Sequence, residues 1–120
     1  MIERIQFMTH KGKQVILIDL SNSSASEVER VVRQIPEFVT TRPLASVLIL
    51  SDFTGASFDG DAMQVIKETA VFDKPYIKKS AFVGSASFPQ EFSESLVSFS
   101  RREFPTFKNR EEALAWLVKD

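Results

Sequence analysis

The sequence predicts an α/β domain with a mixed sheet of about five strands and about four helices in the order β-β-α-β-α-β-α-β-α. Three observations carry this. An alternating run and a second strand-like run open the chain on either side of Gly12, the unbroken apolar run Val47–Leu50 has the composition of a strand covered on both faces, and strand-like and helix-like periods alternate strictly after the hairpin. The chain of 120 residues is expected to form a single domain over 1–120, long enough to bury a core without disulfides or metals.

Residues 3–9 alternate Ile5 and Phe7 with polar neighbours, and residues 13–20 form a second run after His10-Lys11-Gly12. Together they predict a β-hairpin, with Gly12 supplying the positive φ of the turn. Ser24 and Glu27 match the S-x-x-E capping box, and Val28, Val31, Val32, Ile35 and Phe38 recur at helical spacing. Pro36 is expected to end or bend that helix because it has no amide proton to donate. Thr40–Pro43 connects to the central strand.

That strand runs into the polar loop of SVLILSDFTGASFDGD, residues 46–61. Asp59 or Asp61 is positioned to cap a helix with the stripe Ala62, Val65, Ile66 and Ala70, stopped by Asp73-Lys74-Pro75. Residues 76–84 read as a strand whose buried part is Ala81, Phe82 and Val83. Ser87 with Gln90 gives a second capping-box pattern, Pro89 suits a first turn, and Phe92, Leu96 and Phe99 make an inward stripe. Residues 103–107 form a short strand that Pro105 restricts to an edge. Asn109 caps a last helix that packs Leu114, Trp116 and Leu117 inward, with Glu111 and Glu112 where the dipole favours acids.

Composition excludes several classes. Fifteen basic and sixteen acidic side chains, spread evenly, leave no nucleic-acid footprint. The pairs Lys78-Lys79 and Arg101-Arg102 fit solvated element ends. No apolar run approaches a membrane span, and Glu3 and Arg4 interrupt any leader-like start, so a soluble, cytoplasmic protein is expected. The chain has no Cys and one His, which leaves nucleophile–base triads without a base; its four Gly form no phosphate loop, and no acidic or His set has metal-ligand spacing. No catalytic residue, metal or cofactor is therefore expected.

Two features remain. Asp52, Asp59 and Asp61 share one loop, where helix capping is favoured over acid–base work. Asp52 with Asp19, Ser85 and Lys108 also imitates a phosphoacceptor arrangement, but Leu20 and Ser21 follow Asp19 where a second acid would be needed for Mg²⁺. The second feature is eleven Phe against one Tyr and one Trp. Most must fill the core, while Phe53, Phe58, Phe88 and Phe92 flank loops and are candidates for an apolar pocket or a dimer interface.

The hairpin, the segments VLILSDFTGASF and KKSAFVG, and above all the ending REFPTFKNREEALAWL resemble the SpoIIAA-like (STAS/SEC14-related) family of small bacterial proteins. The resemblance implies a compact α/β domain of that family's mixed-sheet type. Its anti-sigma-factor antagonists bind protein partners and are switched by phosphorylation of a Ser in a D-S-S-G-type motif after the central strand. Here Gly60, Asp61 and Ala62 stand at that place, so the switch Ser is absent. The nearest hydroxyls, Thr54 and Ser57, are expected to bond loop backbone. The implied function is a regulatory or protein-interaction domain, able to form homodimers. Its binding loop holds Asp52, Phe53, Thr54, Ser57, Phe58, Asp59 and Asp61. The alternative, from the SEC14 side, is a small-molecule or lipid binder with Phe88 and Phe92 among the ligand contacts.

Overall fold

The computed structural model describes residues 3–119. Strands β1 (Ile5–His10) and β2 (Lys13–Asp19) form the expected hairpin, turning through Lys11 at φ 50° and Gly12 at φ 79°. Both central turn residues have positive φ, the condition that matches the turn to the twist of its strands. Strands β3 (Val47–Asp52), β4 (Ile77–Val83) and β5 (Thr106–Phe107) complete a five-stranded sheet in the order β1-β2-β3-β4-β5. The hairpin pair is antiparallel and every other pairing is parallel.

Helices α1 (Ala25–Val39), α2 (Gly60–Asp73) and α3 (Gln90–Ser100) lie in the three parallel crossovers. The crossovers all step the same way across the sheet, so their common handedness places the three helices on one face. There α1, α2 and α3 bury Val28, Val32, Ile66 and Leu96 against Ile16, Ile18, Ile49 and Phe82. Helix α4 (Arg110–Val118) follows the edge strand and covers the other face, packing Ala113, Leu114 and Leu117 on Val15, Leu48, Leu50 and Ala81. Strand β3 alternates between these two cores, which is why all six of its residues are buried.

Five local expectations need correction. Pro36 does not end α1, which continues to Val39; the N–H and Oγ1 of Thr40 both donate to the Pro36 carbonyl, at 3.1 and 2.8 Å, and Ile35 and Val39 are buried across the site. The apolar stripe outweighs the one missing donor. Helix α3 begins at Gln90 with Pro89 as its N-cap and no side-chain cap, so Gln90 cannot serve as the third residue of a capping box. Phe99 is 52% exposed, because the inward positions of α3 are Phe92, Leu96 and Ser100; its ring lies 5.5 Å from Lys67 Nζ. Trp116 is half-buried, its ring 5.6 Å from Phe107 and 5.1 Å from Lys79 Nζ, and Ala113 takes the inward place. The edge strand is shorter than residues 103–107, although the Pro105 carbonyl still accepts from Phe82 N at 2.9 Å.

Candidate functional site

The carboxyl ends of β2 and β3 carry the same short pattern of Asp, apolar residue and hydroxyl residue, Asp19-Leu20-Ser21 and Asp52-Phe53-Thr54, and the register sets Asp19 beside Asp52. Each Asp folds the chain after it in the same way. Asp19 Oδ1 accepts from Ser21 N at 3.1 Å and Ser21 Oγ at 2.6 Å; Asp52 Oδ1 accepts from Thr54 N at 3.0 Å and Thr54 Oγ1 at 2.7 Å. These are local side-chain turns, each built by a carboxylate that accepts from the amide and the hydroxyl two residues on.

Arg110, the first residue of α4, joins the two turns. Its Nε donates to Asp52 Oδ2 at 2.8 Å, and its Nη2 lies 3.1 Å from Asp19 Oδ1. A cation at a helix amino terminus opposes the helix dipole, so two carboxylates are what make this position tenable. Burial alone would lower the Arg110 pKa, but the Asp52 hydrogen bond and both negative charges raise it. Burial pushes Asp19 up, yet the Ser21 hydroxyl and amide and the Arg110 charge bring it below its ordinary 3.8. The cluster is a locked ionic clamp.

Backbone bonds lace the two loops together: Leu20 N donates to Asp52 O, Asn22 N to Thr54 O and Ser57 N to Ser23 O, at 2.8 to 2.9 Å. Gly84, at φ 72° after β4, seats the platform from beside it. A Cβ there would overlap Thr54 N and Oγ1, so only glycine permits the approach. On its other side the platform borders a groove of about 970 Å³, in which Asp19 and Asn22 face Arg4, Glu27 and Arg30. Arg4 Nη1 donates to the carbonyls of Asp19 and Ser21, at 3.2 and 2.9 Å.

The sequence-derived loop residues divide into three groups. Asp52 is buried in the clamp, while Thr54 and Ser57 are exposed on the loop surface. Asp59 is the N-cap of α2, accepting from Ala62 N at 2.8 Å, and Asp61 stands exposed in the first turn. Phe53, Phe58, Phe88 and Phe92 point into the three-helix core and contact one another: Phe53–Phe88 centroids are 4.7 Å apart, Phe58–Phe88 4.9 Å and Phe88–Phe92 5.1 Å. Of the strand-end set, the structure joins Asp19 and Asp52 through Arg110 in place of Lys108. Sequence reasoning missed Arg110, whose signal is a lone cation directly after the Asn109 cap.

A second feature lies deeper. Beneath α2 a cavity of about 50 Å³ touches Ile49, Phe53, Ile66, Phe82 and Leu96 and reaches Asp73 and Arg102. Asp73 is 3% exposed, and its Oδ1 has no hydrogen-bond partner among the described residues. Burial pushes its pKa up to about 7 against the opposing pull of Arg102. Arg102 donates Nη1 to the Ala70 carbonyl at 2.8 Å, and burial lowers its own pKa despite the charge of Asp73.

No protein-family model matches the chain, and no curated protein does either. Among solved structures it is similar to an uncharacterised protein of the DUF3478 family from Shewanella loihica PV-4, described as having a SpoIIAA-like fold. The two share 14% identity at a TM-score of 0.67, over 95% of this chain and 92% of that one. The mixed five-stranded sheet with four helices, and its agreement with that structure over nearly the whole length, show that this chain has the SpoIIAA-like fold its ending resembles.

Proposed function

We propose that this protein is a non-enzymatic regulatory domain that docks a protein partner on the surface formed by Ser21, Asn22, Thr54, Gly55, Ser57 and the first turn of α2. The observation that carries this reading is the lacing of two loops into one platform by three backbone bonds and the Arg110 clamp. A surface ordered before contact loses little conformational freedom on binding, which favours affinity. The clamp also engages the carboxylates of Asp19 and Asp52, leaving Thr54, Ser57 and Asp61 as the groups a partner meets.

Phosphate-dependent switching at the antagonists' position has no hydroxyl to act on here, since Asp61 stands in the first turn of α2. An Asp carries a constant charge of about one, against roughly two for a phosphate, and so supports constitutive docking. A lipid or drug-sized ligand at Phe58, Phe88 and Phe92 is disfavoured, because it needs about 300 Å³ or more and these rings pack on one another.

Site-specific photo-crosslinking in cells tests the reading. A crosslinker at Ser57 is expected to give a discrete protein adduct that Asp61→Lys abolishes, and one at exposed Ala115 on α4 is expected to give none. Equal adducts from both positions, or none from Ser57, would overturn it.

A further inference from the structure

The cavity at Asp73 is separate from the platform and carries its own chemistry. A buried carboxyl oxygen without a donor is a costly arrangement that native structures keep only for a reason. Asp73 Oδ1 is such an atom, and Asp73 borders the one cavity described above whose walls are formed by Ile49, Phe53, Ile66, Phe82 and Leu96. Arg102 borders it too, but with one guanidinium nitrogen already given to the Ala70 carbonyl.

We propose that this cavity binds a small, uncharged aliphatic molecule with a hydroxyl head, a short-chain alcohol in chemical class. Its O–H donates to Asp73 Oδ1 and its alkyl body lies against Ile66, Phe82 and Leu96. Size sets the first limit: a water molecule takes about 10–15 Å³ of such a cavity, so about 50 Å³ holds a body of about three to five heavy atoms. Charge sets the second. Asp73 and Arg102 already pull on each other across the site, so a charged head gains from one and is repelled by the other, while it loses its hydration in apolar surroundings. A neutral donor satisfies the open oxygen and avoids both. The raised pKa of Asp73 fits a site in which the carboxyl also takes a proton when no donor is bound.

The test is an NMR titration of the isotopically labelled full chain with 1-butanol, n-butylammonium and butyrate. It follows the methyl signals of Ile49, Ile66 and Leu96 and the carboxyl carbon of Asp73. With 1-butanol all four should shift saturably with one dissociation constant, and Asp73→Leu should weaken binding at least tenfold, while the charged probes should not saturate over the same range. No saturation with 1-butanol, an unmoved Asp73 carboxyl carbon, undiminished binding by Asp73→Leu, or tighter binding of either charged probe would each overturn the proposal. Should Asp73→Leu fail to fold, the Asp73 signal in the unaltered protein decides the matter alone.

Discussion

The molecule contains two aspartate–arginine neighbourhoods that the same residue types build to opposite effect. At the strand ends, Arg110 reaches Asp52 and Asp19 directly, and each Asp is further bonded by a hydroxyl and an amide. At the end of α2, Arg102 is close enough to pull on Asp73 but gives Nη1 to the Ala70 carbonyl, and Asp73 Oδ1 stays unpartnered. The difference lies in the backbone. Loops at the carboxyl ends of the strands can turn their own N–H groups towards a carboxylate, whereas the last turn of a helix presents carbonyls, which cannot donate. A buried Asp is thus satisfied at one end of the sheet and left open beneath the helix layer.

The largest expected effect concerns Asp73. Its pKa is raised from 3.8 to about 7, so between those values the folded chain binds more protons than the unfolded chain and stability falls as pH rises. The contribution is fully present below about pH 4 and lost above about pH 7, with an upper magnitude of order 4 kcal/mol. Urea unfolding between pH 4 and pH 8 should show this decline, and Asp73→Asn should flatten it. Asp19 has the opposite sign: its lowered pKa gives stability that is lost only as the pH falls through its folded value.

Next in size is the seat of the clamp. Gly84→Ala places a Cβ against Thr54 backbone at a positive φ, and a loss of about 3 kcal/mol is expected in chemical denaturation. Arg110→Met leaves Asp52 buried without its cation. Removing one partner of a fully buried pair costs about 3–5 kcal/mol, and because the Arg110 side chain is 38% exposed the expected loss is nearer 2 kcal/mol. Asp52→Asn in the same chain should recover part of that loss; strict additivity would show that the two side chains do not interact. The smallest contrast lies within the loop: Asp59→Ala should cost about 1 kcal/mol through the lost cap, and Asp61→Ala less than about 0.5 kcal/mol.

The sequence made the architecture legible where pattern and neighbourhood coincide. Val47–Leu50 reads as a doubly covered strand without reference to anything distant, and Ser24 with Glu27 forms the capping box its spacing implies. Pro36 misled because a strong apolar stripe carried the helix through it. Phe99 and Trp116 misled because a ring gives no indication of which side of a short helix has a neighbour to cover it. The clamp was half visible: the repeated Asp-x-hydroxyl turns after β2 and β3 stand in plain sequence, yet their partner Arg110 lies 58 residues from Asp52. Asp73 read as a helix stop. Its burial comes from the position of α2 between α1 and α3, a tertiary fact with no local signature.

The contrast between the two neighbourhoods is tested most directly by following the side-chain carboxyl carbons of Asp19 and Asp73 by NMR as pH is varied. The account predicts a midpoint of about 7 for Asp73 and one below 3.8 for Asp19. An Asp73 carboxyl that titrates in the ordinary carboxylate range, alongside an Asp19 that is not lowered, would contradict it.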